Sequence, residues 1–232
     1  MSSDDPTPTA SPTGTPAERL AAVKAAIAHA AGLADRTPAD TTLIAVSKTK
    51  AADEIIPLLE AGQHDFGENR VQEAQAKWPD LRAAFPGVTL HLVGQLQSNK
   101  AEDAVALFDV IHSVDRSSLV AALGRAMDKL DRRPACFVQV DIGDEPQKGG
   151  CPIAALPALL DEARAAGVPV VGLMAVPPVD TEAAPYFALL AKLAREHGLD
   201  GLSMGMSSDY EVAVMLGATH VRVGTALFGS RA

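Results

Sequence analysis

A chain of 232 residues with 47% apolar side chains can build one large α/β domain or two small ones. Aromatics make up only 4%, so the core volume has to come from Ala, Val and Leu, as where helices pack on parallel strands. Twenty basic against 29 acidic residues give a net charge of −9, which argues against a nucleic-acid surface and leaves room for a local basic pocket that takes a small anion.

Residues 1–16 are rich in Pro, Thr and Ser and poor in apolar side chains, so a disordered tail is expected ahead of one domain spanning 17–232. Nothing there resembles the apolar core of a signal peptide, and no stretch reaches the ~18 apolar residues of a membrane span. A cytoplasmic protein that binds neither membrane nor nucleic acid is the expectation. Cys136 and Cys151 form no CxxC pair and read as two reduced thiols.

Leu20, Val23, Ile27 and Ala31 recur at helical spacing and predict a leading amphipathic helix that ends near Gly32. Residues 43–46, Leu-Ile-Ala-Val, form a continuous apolar run of the kind that suits a parallel strand covered on both faces. Lys48 stands where that strand runs out, and Lys50 lies further into the loop. Short helices and strands then alternate. Helices are predicted over 51–61, 69–77 (stopping before Pro79), 99–107, 116–130, 153–166, 182–196 and 209–216. Strands are predicted over 64–66, 89–93, 110–114, 135–142, 168–176, 201–204 and 219–223. With the first strand this makes eight, each but the last followed by a helix, and the leading helix is available to close the ring. Strict βα alternation implies a parallel sheet, and eight units in a single-domain length point to a (β/α)8 TIM barrel. No GxGxxG follows any strand, which weakens the dinucleotide-binding alternative.

Ligands of such barrels sit at the carboxyl ends of the strands, and the unusual polar residues fall there. A lysine at the end of an apolar strand can lose its proton more readily than in water and act as a nucleophilic amine towards an aldehyde. The segments 66–69 (Phe-Gly-Glu-Asn) and 94–100 (Gly-Gln-Leu-Gln-Ser-Asn-Lys) follow the second and third strands. At the seventh and eighth, 203–207 (Ser-Met-Gly-Met-Ser) and 222–225 (Arg-Val-Gly-Thr) combine glycines with small hydroxyl residues, which lets backbone N–H groups approach an anion. Loops after strands seven and eight are the customary phosphate position of barrels. Arg222, between Val221 and Val223, alternates to the barrel interior. A lone cation is costly there, so either a ligand or a structural ion pair with an acid such as Asp141 is expected to meet it.

Five segments together, 45–50, 66–73, 94–100, 202–207 and 221–229, resemble the pyridoxal phosphate homeostasis protein family in consistent order over about residues 18–231. The resemblance implies a fold-type III barrel like that of alanine racemase, without the C-terminal β domain, and pyridoxal 5′-phosphate (PLP) as cofactor. It implies that Lys48 forms the internal aldimine, that Ser203, Gly205, Gly224 and Thr225 hold the phosphate with Met204 among the cofactor-binding residues, that Arg222 meets the pyridine nitrogen, and that Asn69 lies near the ring. Two positions depart from the family pattern: Ala51 stands where proline is usual, and Asp141 where asparagine is usual. The first is expected only to loosen a turn.

A guanidinium has donors only, so it favours an unprotonated pyridine, which is a weaker electron sink. Racemases of this fold also need a second acid/base from an added domain or partner, whereas this chain stops seven residues after Thr225 and both tyrosines, Tyr186 and Tyr210, fall in predicted helices. His64 and His112 lie within or near strands and read as satisfied core residues. His29, His91, His197 and His220 show no motif, and no metal-ligand spacing occurs. The expectation is therefore a monomeric carrier, with a weak dimer as the alternative, that buffers PLP or delivers it to apo-enzymes and has no catalytic residue of its own. The rivals are a fold-type III enzyme such as an amino-acid racemase with weak or partner-dependent activity, and a Schiff-base aldolase acting on a sugar phosphate.

Overall fold

The chain, seen in a computed structural model that describes residues 13–229, starts with a well-capped helix. Helix α1 (Pro16–Leu33) has Thr15 as its N-cap: the Thr15 hydroxyl accepts from the Glu18 N–H at 3.3 Å, and the Glu18 carboxylate accepts from the Thr15 N–H at 2.7 Å. Helical order thus begins one residue before the expected boundary, and residues 1–12 of the expected tail lie outside the described residues.

Strands β1 (Thr42–Val46), β2 (Asp65–Glu68), β3 (Thr89–Leu92), β4 (Val110–Val114), β5 (Ala135–Asp141), β7 (Val170–Met174), β8 (Gly201–Met206) and β9 (His220–Val223) form a parallel sheet in the order β4-β3-β2-β1-β9-β8-β7-β5. A further β4–β5 pairing closes it into an eight-stranded barrel. Helices α2 (Ala52–Glu60), α3 (Val71–Ala84), α4 (Ala101–Leu107), α5 (Ser117–Leu130), α6 (Leu156–Ala165), α7 (Ala184–Glu196) and α8 (Tyr210–Met215) lie in the connections. The alternation predicted from the sequence is the one observed. Two small elements were not foreseen: β6 (Cys151–Pro152), a short parallel extension on β5, and α9 (Thr225–Phe228), directly after the last strand.

Side chains from α1 to α8 and the outward positions of the strands make a continuous apolar core that includes Leu20, Ile27, Ile55, Phe66, Trp78, Phe108, Leu123, Phe187 and Val223. The barrel interior is different in kind. His91, His112, Ser203 and Arg222 are buried inside it, with the Phe137 ring stacked on His112.

Several boundaries differ by two residues or more from the predicted ones, and two of the shifts bear on the site. Helix α3 runs through Pro79 to Ala84 rather than stopping before it, because Trp78 and Leu81 on its second half are buried in the core. Burying a tryptophan and a leucine outweighs the ~3 kcal/mol cost of an interior proline. Strand β2 continues through Gly67 and Glu68, which the sequence reading placed in a loop. Gly94 is needed just beyond β3, where a Cβ would collide with the backbone of Asn69. At Gly205 a positive φ of 93° coincides with a Cβ position only 2.5 Å from that of Ala213, so no other residue fits.

Candidate functional site

The barrel register brings the chemistry onto three adjacent strands. On β1, Leu43 and Ile44 pair with Val221 and Arg222 of β9, and β9 pairs with β8 so that Arg222 stands beside Met206. The turn after β1 carries Lys48, the turn after β8 carries Ser207, and Gly224 and Thr225 follow β9. A Cβ at Gly224 would lie 3.4 Å from the Val46 carbonyl oxygen, so the β9 loop touches the strand end that leads to Lys48.

Lys48 is half-buried, two residues past β1. Lys50 is engaged by Glu54 at 2.9 Å, whereas Lys48 has no hydrogen-bond or ion-pair partner among the described residues. Its turn is held from beneath by α3. Lys77 Nζ donates to the carbonyls of Ser47 (2.9 Å) and Lys50 (3.0 Å), and the Thr49 N–H donates to Glu73 at 2.5 Å. Thr49 takes a left-handed φ of 64°, a cost that these bonds offset. Lys77 also pairs at 2.8 Å with Glu68, a fully buried carboxylate that accepts from the Ser47 hydroxyl (2.6 Å) and from Trp78 Nε1 (3.0 Å). The sequence reading quoted Glu68 and Glu73 without assigning them roles and did not single out Lys77. The clue available was one helical turn, since Glu73 and Lys77 are an i, i+4 pair on the helix that follows the second motif.

Arg222 is buried in the barrel, as its alternation with Val221 and Val223 predicted. It forms no ion pair with Asp141, whose carboxylate instead accepts from the Glu145 N–H at 2.8 Å to shape the turn after β5. One guanidinium nitrogen of Arg222 donates to Ser203 O (2.8 Å) and Ser203 Oγ (2.7 Å), and the other donates to the Ala175 carbonyl (2.9 Å). All three acceptors are uncharged. Burial pushes the arginine down to about 10 even though Asp209 pulls it the other way.

Ser203 is therefore not free to face the loops. Its hydroxyl is fully buried between Arg222 and His112, at 2.9 Å from His112 Nδ1, and so points away from the loops where the resemblance puts the phosphate. The physical reason is parity: Ser203 pairs in register with His220, two residues before Arg222, so it belongs to the inward layer. Ser207, one turn further on, does meet the β9 loop: its hydroxyl accepts from the Gly224 N–H at 3.2 Å. Thr225 is exposed as the first residue of α9, Met204 is buried in the apolar core, and Gly205 makes the bend that brings β8 against α8. Asn69 is half-buried just past β2, against Gly94. Ala51 uses the backbone N–H that a proline would lack, donating to Glu54 at 3.0 Å at the start of α2. The departure from proline thus adds a cap and does not loosen the turn.

His112 is a buried core residue with both ring nitrogens bonded, as read from the sequence, but its link to His91 and His220 was missed. His91 and His112 lie 3.0 Å apart inside the barrel, and His220 packs edge-on to both. Burial, reinforced by His91, His220 and Arg222, pushes His112 well below its usual range, and burial with His91 pushes His220 down to about 4. Tyr186 and Tyr210 lie in α7 and α8, and burial raises the Tyr210 phenol. Cys136, buried behind β5, is pushed up to about 12 by burial, and neither cysteine is in a disulfide. Among the described residues no cluster of His, Cys, Asp or Glu could hold a metal, and no helix is long and apolar enough to cross a membrane.

A closed parallel barrel, with a half-buried lysine after its first strand, a buried arginine on the adjoining last strand and glycine-bearing loops beside both, defines the class of lysine-bearing (β/α)8 barrels. Residues 19–232 match the family described as alanine racemase, N-terminal domain, and the chain belongs to that family. A relative from Pseudomonas aeruginosa, named pyridoxal phosphate homeostasis protein, is 42% identical over 227 residues, covering 93% of this chain and 95% of its own. PipY of Synechococcus elongatus, solved with PLP bound, superposes with a TM-score of 0.81 at 41% identity, covering 93% of this chain and 100% of that one. An alanine racemase from Bacillus anthracis shares the fold at a TM-score of 0.65 and 18% identity, and the match spans 91% of this chain but 56% of the racemase.

Proposed function

We propose that this protein binds PLP in the cytoplasm through Lys48 and buffers or delivers it, without substantial turnover of amino acids. The observation that carries this reading is the register of β8, β9 and β1, which gathers Lys48, Arg222 and the Ser207–Gly224 loop contact at one end of the barrel. The donor set fits the group. Among the described residues Lys48 offers an amine without a competing partner, the Ser207 and Thr225 hydroxyls offer small donors to a phosphate beside Gly224, and Arg222 offers a charge to which no carboxylate is bonded directly. When bound, PLP supplies an aldehyde that condenses with amines and a ring that withdraws electrons. The names of the relatives and the PLP-bound PipY structure point the same way.

The carrier reading follows from what surrounds the ring. Arg222 can only donate, so it would hold a pyridine nitrogen unprotonated and leave the ring a poor electron sink. The tyrosines sit in α7 and α8 and not at strand ends, so neither is placed as an opposing acid/base. Purified protein is expected to show a visible absorption band that borohydride abolishes, with the mass of one reduced adduct retained. It is further expected to activate an apo-enzyme that depends on PLP. Incubated with single L-amino acids in deuterated water, it should show neither solvent exchange at Cα nor a changed enantiomer ratio. Racemisation at several turnovers per second, lost in Lys48→Ala, would make it an enzyme. A colourless protein that turns over a sugar phosphate would make it an aldolase.

A further inference from the structure

An unbroken file of hydrogen bonds crosses the barrel from Arg222 to the first residue of β2. Arg222 donates to Ser203 Oγ (2.7 Å), Ser203 Oγ meets His112 Nδ1 (2.9 Å), His112 Nε2 meets His91 Nδ1 (3.0 Å), and His91 Nε2 meets Asp65 Oδ1 (3.1 Å). The members come from five strands: β9, β8, β4, β3 and β2. With Asp65 ionised and both imidazoles neutral, only one arrangement of protons satisfies every bond. Arg222 can only donate and an ionised Asp65 can only accept, so with one proton on each imidazole the Ser203 oxygen accepts from Arg222 and its own hydrogen goes to His112 Nδ1. His112 must then carry its proton on Nε2 and give it to His91 Nδ1, and His91 must likewise carry its proton on Nε2 and give it to Asp65. The dipoles all point the same way, from the cation to the carboxylate, and each bond polarises the next. The Phe137 ring, 4.5 Å from His112 and nearly parallel to it, helps hold the imidazole in place.

This file bears on how a buried arginine persists with three uncharged acceptors, when Asp209 acts on it only through space and forms no bond to it. We propose that Asp65 is the remote counter-charge of Arg222, reached through Ser203, His112 and His91, and that these four are positioning residues which fix the guanidinium towards the ring nitrogen of the bound cofactor. The role towards the ring rests on the PLP reading of the site; the relay itself does not. Around the two imidazoles, the titratable and charged groups that face them are Asp65, His220 and Arg222.

The test has two arms. In the free protein, long-range proton–nitrogen correlation spectra of the imidazoles should show His91 and His112 both neutral and both protonated on Nε2. An Nδ1-protonated or doubly protonated ring at either position overturns the relay. In the second arm, PLP labelled with ¹⁵N at the ring is titrated into wild type, His112→Phe, Asp65→Leu and Asp65→Asn. The phenylalanine and leucine variants should bind PLP about tenfold more weakly, the effect of losing one hydrogen bond to a charged group. Their ring-nitrogen resonance should also move towards that of free PLP. Asp65→Asn keeps an acceptor without the charge, so it should bind PLP about as weakly as Asp65→Leu, and wild-type affinity in it overturns the counter-charge. Asp65 is only partly buried, so its variants keep the test open if His112→Phe does not fold. Wild-type affinity and resonance in a folded His112→Phe or Asp65→Leu overturn the positioning role. Wild-type protein that takes up no PLP overturns the cofactor reading instead, while the tautomers of the free protein still uphold or overturn the relay.

Discussion

Two lysines stand two residues apart after β1, and their surroundings assign different work to each. Lys50 is tied to Glu54 in an i, i+4 pair, while Lys48 has no partner among the described residues. Lys48→Ala should therefore abolish the visible band, and Lys50→Ala should keep most of it. Intact-mass analysis after borohydride decides, and a PLP adduct retained by Lys48→Ala sinks the assignment. The serines divide in the same manner. Ser207 and Thr225 border the loop contact, so their double alanine variant should melt near wild type yet bind PLP weaker by roughly a hundredfold or more, from two lost charge-assisted bonds. Ser203→Ala should instead destabilise the free protein by about 1–3 kcal/mol, because it strips buried partners from Arg222 and His112. Urea titration with and without PLP separates the two outcomes. The distinction was half legible. Both serines lie in one motif, and only strand parity relative to Arg222 tells the inward residue from the loop residue. The same parity would have flagged His220, two positions before Arg222. The burial of His112 was legible from its strand, but its pairing with His91 leaves no local trace, since their partners lie 21 to 91 residues away.

At the scale of elements, the turn that presents Lys48 depends on a helix that contributes nothing else to the site. Lys77 of α3 binds two carbonyls of that turn and neutralises Glu68, a carboxylate with no exposure to water. Removing one partner of a buried pair leaves an uncompensated charge, which costs ~3–5 kcal/mol, more than the pair contributes as a whole. Lys77→Met should therefore lower the melting temperature by about 10 °C in a chain of this size. The double variant Lys77→Met, Glu68→Leu should recover much of that loss. If the single variant melts like wild type, Glu68 does not need its cation and the turn is held by other means. The alternation of strands and helices announced the barrel because each βα unit carries its own apolar run and glycine stop. The α3 end and the β2 end were hidden for one shared reason. Pro79 and Glu68 look like breakers in isolation, and only tertiary burial, of Trp78 in the one case and of the Glu68–Lys77 pair in the other, overrides them.

For the whole molecule, the polar barrel interior makes stability depend on pH in a window that surface charges do not share. His112 and His220 are held neutral in the fold, His220 down to about 4, while in the unfolded chain each takes a proton near pH 6.5. Between those values the unfolded state binds more protons, so unfolding free energy rises with pH there: the contribution is complete above about pH 6.5 and is lost as pH falls towards 4. The shifted carboxylates Glu18, Asp40 and Glu54 are lowered from values near 4, so their contribution fades only at more acid pH. Between about pH 6.5 and 4.5 the slope belongs to the histidines, up to ~1.4 kcal/mol per pH unit for each. Urea titrations at half-unit steps should show a plateau above pH 7 and a steady loss below 6.5. His220→Leu should remove about one proton's share of that slope while leaving the plateau nearly in place, since His220 lies beside the relay and outside it. An unchanged slope in that variant would mean that His220 titrates alike folded and unfolded. The polar file would then have to be open to water, and a buried Arg222 would no longer need Asp65 as its distant partner.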